Sequence, residues 1–165
     1  MDEMINESLA GFDSVWQRVT AKHDCPLESC PAAGTYSEED TLLGLIHDET
    51  CAAVQSTALA RMFQSDGRAM LTGHANQAKR HLKRLRAEYF IATGITGGSN
   101  EDCRAVNGKL ASLRSLFLQA GDLAERYEKA AEQTESETLR EVFLTFAADA
   151  HHRAQELRAL LIESI

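Results

Sequence analysis

Carboxylates and imidazoles interrupt the apolar stripe of every long helical segment in this sequence. Stepping from Leu42 through Leu45 and Ile46 toward Ala53 and Val54 passes Glu49. His74 and His81 lie a heptad apart among Leu71, Ala78 and Leu85, and the run Leu110, Leu113 and Phe117 leads past Leu118 to Asp122 and Glu125. Asp149 and His152, three residues apart, follow Val142 and Phe146 and precede Leu157. Burying an unpaired carboxylate costs several kcal/mol, so such a set calls for a cation, for mutual hydrogen bonds or for exposure. A divalent metal satisfies it best: carboxylates with imidazoles suit iron, manganese or zinc, and an acid three residues before a histidine puts both on one helical face. Each of these residues taken singly reads as an ordinary surface or interface residue. Their coincidence at mid-height on four segments is what favours metal.

Other residues with chemical potential are less specific. Cys25, Cys30, Cys51 and Cys103 are too few and too scattered for a disulfide scaffold, and in a reducing compartment they stay thiols by default. Cys25 and Cys30 fall in CPLESCP, where they read as ordinary loop thiols or, more sharply, as a reversible disulfide. Lys79, Arg80, Lys83, Arg84 and Arg86 recur at helical spacing and read as a solvated face. A net charge of −8 argues against a general nucleic-acid binder, since phosphate neutralisation needs a basic surface. The opening MDEMINESLAGFDSVW lacks a basic segment followed by an apolar one, and no stretch approaches the roughly 20 apolar residues that span a bilayer. A cytoplasmic protein is expected.

The elements that must position these groups are helices. The 165 residues are 44% hydrophobic but only 6% aromatic, with two prolines, which favours an all-α domain over a sheet. Residues 2 to about 20 carry Met4, Ile5, Leu9, Phe12, Val15 and Trp16 at three- and four-residue steps, and predict one short amphipathic helix. Both prolines, Pro26 and Pro31, then break the chain, so residues 1–36 form a helix and loop ahead of a bundle at 37–165. Ser37 with Asp40 caps a first long helix over 38–64, and Ser65-Asp66-Gly67 turns into a second over 68–93 that stops at Gly94. After ITGGSN, Ser99 with Asp102 opens a third over about 100–132, a start that Asn107-Gly108 could delay. The box Thr134-Glu135-Ser136-Glu137 opens a fourth that runs nearly to the end.

This arrangement resembles the ferritin-like superfamily and, within it, the rubrerythrin-type diiron domain, over roughly residues 38–163. The match lies in Glu49 and Ala52 of HDETCAAVQS, in AGDLAE at 120–125, in AKRH at 78–81 followed by LKRL, and in DAHH at 149–152. The resemblance implies an antiparallel four-helix bundle with a crossover between its second and third helices, here with an extra N-terminal helix that packs across the bundle or mediates a homodimer. It implies one or two irons per chain, with manganese or zinc as alternatives, held by Glu49, His81, Glu125, Asp149 and His152, with Asp122 as an extra carboxylate. Ala78 departs from the pattern, standing where a bridging glutamate is expected, and His74 or Gln77 is its candidate substitute. Asp149 is one methylene shorter than the usual residue. No CxxC pair of a rubredoxin module occurs, so an electron donor would be external.

Two functions follow from that resemblance, and a third from the surface. The first is a rubrerythrin-like peroxidase or oxidase, with Tyr127 close enough to Glu125 in sequence to serve as a redox or hydrogen-bonding group. The second is a non-catalytic ferritin-like bundle that has lost its diiron centre and serves as a metal carrier or as an oligomerisation or docking module. The third and weakest is a helical regulator that holds a partner through the basic face or through Phe12 and Trp16.

Overall fold

A computed structural model describes residues 37–98, 103 and 108–165. The expected N-terminal helix and the Cys25 and Cys30 loop lie outside the described residues. The described residues form four helices and no strand: α1 (Glu38–Ala60), α2 (Ser65–Thr93), α3 (Lys109–Gln133) and α4 (Glu137–Glu163). None of them is long and apolar enough to cross a membrane.

Local chemistry sets the helix ends. Ser37 Oγ accepts from the Asp40 amide at 3.1 Å, and Glu38, Glu39 and Asp40 place negative charge on the first turn of α1. That helix ends at Ala60 rather than at residue 64, because the amides of Arg61, Met62 and Phe63 bond to carbonyls three residues back and tighten the chain. Ser65-Asp66-Gly67 is then the first turn of α2 and not a separate turn. Phe63 is buried, and a Cβ on Gly67 would meet its ring at 2.9 Å, so the glycine lets the two approach. α2 stops at Gly94, whose positive φ of 73° lets its amide reach the Phe90 carbonyl at 2.8 Å.

α3 starts at Lys109 after Gly108, whose φ is 96°, and not near residue 100. Its first side chain anchors it, with Lys109 Nζ 3.9 Å above the Phe63 ring. Ser99 and Asp102, the expected cap, lie outside the described residues. Ser136 rather than Thr134 caps α4, accepting from the Leu139 amide at 3.3 Å. Thr134 instead donates to Glu38 Oε2 at 2.7 Å, which ties the end of α3 to the start of α1.

Cross-helix partners give the packing directions. Glu49 meets His81 while Ala52 and Ala53 meet Ala78, so α1 and α2 are antiparallel. Glu38 pairs with Thr134 and Glu49 with Tyr127, so α1 and α3 are antiparallel as well. The pairs Glu128–His151 and Ala131–Arg140 give the same sense for α3 and α4, and His74–Glu156 with His81–Asp149 for α2 and α4. The interior has two apolar ends. Leu42, Leu45, Ile46, Leu85, Tyr127 and Phe143 fill one, and Leu59, Phe63, Leu71, Leu113, Leu116 and Leu157 the other. Glu49, His81 and Arg153, all at most 3% exposed, lie buried within this bundle and are polar.

Candidate functional site

The buried polar layer centres on Glu49. Its Oε1 accepts from the Tyr127 hydroxyl at 3.0 Å and faces His81 Nδ1 at 2.7 Å. Arg153 closes the other side, with Nη1 donating to Glu49 Oε2 at 3.2 Å and Nη2 to Oε1 at 3.5 Å. His81 continues the chain outward, its Nε2 lying 3.0 Å from Asp149 Oδ2 on the half-buried edge of α4. A doubly protonated ring would donate to both carboxylates, whereas a neutral ring can donate to one only. Phe146 stacks on the imidazole at 3.8 Å between centroids and 13° between planes, which fixes the ring orientation.

Burial alone would raise the Glu49 carboxyl, but the His81 hydrogen bond and the Arg153 charge outweigh it and hold the group below the ordinary carboxylate range. Burial pushes the Tyr127 phenol well above its usual value, and the Glu49 charge pushes it further, so Tyr127 stays a hydrogen-bond donor. Glu49 is therefore a buried carboxylate whose counter-charge is a guanidinium from its own chain.

Three of the residues expected from the sequence come together here: Glu49, His81 and Asp149. The others do not. Asp122 and Glu125 are exposed on α3, and Asp122 lines a cavity of about 350 Å³ between α1 and α3. The His152 side chain is 68% exposed and lies 3.6 Å from Glu156. His74 is buried, but its Nε2 pairs with Glu156 Oε2 at 2.8 Å, so it forms a separate rung between α2 and α4. Burial lowers the His74 pKa against the opposing pull of Glu156.

The reason is helical phase. The buried register of α3 runs through Leu113, Leu116, Ala120, Leu123, Ala124 and Tyr127, which turns Asp122 and Glu125 away. That of α4 runs through Leu139, Phe143, Ala147, Ala150, Arg153 and Leu157, one residue beyond Asp149 and His152. Arg153 is thus the functional group that sequence reading missed. Its signal was a cation four residues before Leu157 and three after Ala150 on that same stripe.

The donor chemistry does not fit a metal pair. Among the described residues no group of three or more His, Cys, Asp or Glu is arranged to hold an ion. Both oxygens of Glu49 are engaged, and the Arg153 guanidinium would repel a dication at that carboxylate. Nor is there room for the missing bridging group, because Ala78 is wholly buried against Ala52 and Ala53. Ala78→Glu will therefore destabilise the bundle by at least about 2 kcal/mol through overpacking and an unpaired charge, read as a lower urea midpoint. Its metal content will stay unchanged.

Two further features bear on chemistry. Cys51, on α1, is disulfide-bonded to Cys103, which corrects the expectation that both stay thiols. The basic residues of α2 are all exposed, as expected for a solvated face, and Arg84 pairs with Glu88 at 2.6 Å. The chain matches no protein-family model, no curated protein and no solved structure. Its class is thus defined by its own geometry: an all-α four-helix bundle with a buried carboxylate, imidazole and guanidinium centre.

Proposed function

We propose that the chain is a ferritin-like bundle that has exchanged its metal centre for an internal ion pair and serves as a cytoplasmic docking or oligomerisation module. The observation that carries this reading is Arg153, whose guanidinium occupies both oxygens of Glu49. A cation is what a buried carboxylate layer needs, and here the chain supplies it covalently. Helix direction supports the ferritin-like part. α2 and α3 are each antiparallel to α1, so they run the same way, and a connection along the bundle would join them. Phe90, Ile91 and Ile95, each more than half exposed at the end of α2, offer an apolar patch to a second copy, which favours a homodimer.

The rubrerythrin-like iron peroxidase is the second reading, favoured by the continuous Glu49, His81 and Asp149 chain. It would need an external electron donor for its iron. Metal analysis by mass spectrometry after anaerobic, tag-free purification separates the two. We expect far less than one metal per chain, unchanged in Glu49→Gln, together with a dimeric mass in light scattering that falls to the monomer in Ile91→Glu. One or two irons per chain that are lost in Glu49→Gln would overturn the proposal and establish the peroxidase reading.

A further inference from the structure

The disulfide sits where a reactive thiol would be useful. Cys51 is only 8% exposed, yet it lines the cavity of about 350 Å³ between α1 and α3. One helical turn earlier, His47 places its Nε2 3.7 Å from Cys51 Sγ and lines the same cavity. Cys103 lines a second, smaller cavity beside Val54, Leu59 and Met62. The bond therefore separates two openings, with the imidazole on the Cys51 side only. The charged groups facing that side are His47 and Asp48 from α1, Asp122 and Arg126 from α3, and Arg153 from α4. Arg126 pairs with Asp48 and Arg153 with Glu49, so the fixed charges around the cavity are balanced, and the group beside the sulfur that can take its proton is His47.

We propose that Cys51 and Cys103 are a thiol redox pair, in which Cys51 attacks small hydroperoxides admitted to the α1–α3 cavity and Cys103 resolves the product. His47 takes the Cys51 thiol proton. The thiolate attacks one peroxide oxygen, forming the S–O bond and breaking the O–O bond, and the leaving alkoxide takes the proton from His47 to depart as an alcohol. Cys51 is thereby oxidised by two electrons to a sulfenic acid and the peroxide is reduced. The Cys103 thiol then attacks that sulfur, the S–S bond forms, and hydroxide leaves with the Cys103 proton as water. An external dithiol closes the cycle: one of its thiols attacks Cys103 and passes its proton through His47 to the departing Cys51 sulfur, and its second thiol then displaces Cys103, which leaves with that thiol's proton as the dithiol closes to its own disulfide. The burial of Cys51 sets the substrate class, because a small peroxide can enter the cavity while a protein disulfide cannot reach the sulfur.

The test uses the full-length chain, reduced with a phosphine and freed of it, in the presence of a metal chelator. Hydrogen peroxide is the probe, and site-resolved mass spectrometry follows each cysteine. We expect the Cys51–Cys103 bond to re-form roughly 100-fold faster than free cysteine is oxidised at the same pH, and His47→Gln to remove most of that advantage. Cys103→Ser, with helicity checked by circular dichroism, should accumulate a dimedone-trapped sulfenate at Cys51. If that variant fails to fold, the wild-type rate and its loss in His47→Gln decide the matter. Re-formation no faster than free cysteine, or a rate indifferent to His47, would overturn the proposal and leave a purely structural disulfide. Peroxide consumption abolished by the chelator would overturn it too, in favour of bound metal.

Discussion

Arg153→Met will destabilise the bundle by about 3–5 kcal/mol near neutral pH, the cost of leaving a buried carboxylate without its counter-charge. Glu49 is wholly buried, and the groups that compensate it are Arg153, His81 and Tyr127. Removing the guanidinium deletes the only fixed positive charge among them. The penalty belongs to the orphaned charge more than to any contact Arg153 makes, so Glu49→Gln in the same chain should recover most of it. An apolar or neutral replacement of a buried pair is often neutral in stability or better. Urea denaturation of the wild type, the two single variants and the double variant measures this coupling. A loss under about 1 kcal/mol in Arg153→Met would show that the charge is relieved some other way.

The same network fixes a pH dependence. The Glu49 carboxyl lies below its ordinary range in the folded bundle, so the unfolded chain takes up that proton first as pH falls. Its contribution is therefore fully present above the unfolded value of about 4.3 and is lost as pH drops through the lower, folded value. In Arg153→Met one of the two main causes of that depression is gone, while burial still favours the neutral acid. The gap in stability between variant and wild type should accordingly begin to narrow once acid protonates Glu49 in the folded variant, and go on narrowing until pH falls through the lower folded value of the wild type, where Glu49 is neutral in both. A gap that stays constant from neutral pH into that range would contradict the assignment.

Removing the disulfide is the second large effect. Cys51 and Cys103 are 52 residues apart in sequence, and closing a loop of that length in the unfolded chain is worth about 4 kcal/mol in the chain-entropy model. The bond links the middle of α1 to the connection ahead of α3, two elements that no local hydrogen bond would otherwise hold together in the unfolded state. Cys51→Ala with Cys103→Ala should lower the urea midpoint accordingly, and phosphine reduction of the wild type should bring it to nearly the same point. A change below about 1 kcal/mol would mean that the unfolded chain already keeps these segments close.

Among the described residues, the number of helices and most of their ends were legible in the sequence because capping is local. Ser37 with Asp40, the left-handed Gly94 and the glycine before Lys109 each act within a few residues of themselves. The early stop of α1 and the shift of the α4 cap to Ser136 moved by only a few residues, whereas α3 starts at Lys109, well beyond the expected start near residue 100. The all-α class followed from composition for the same reason, since propensity sums over many independent positions.

The site was decided elsewhere. Glu49, His81 and Asp149 could be picked out as polar residues on apolar stripes, but so could Asp122, Glu125 and His152, which face outward. Successive helical residues are turned by about 100°, so a one-residue error in the buried phase exchanges an interior ligand for a surface charge. Only the packing of α3 against α1, and of α4 against both its neighbours, sets that phase. The same packing brings Arg153 onto Glu49 from 104 positions away, and Cys51 onto Cys103 across 52. Neither pairing has any local signature. The chain by itself thus determined which segments are helical and which of their residues could carry chemistry. Tertiary structure chose which of those residues meet, because a cation, a carboxylate and an imidazole interact through space over a few ångströms, whatever their distance along the chain.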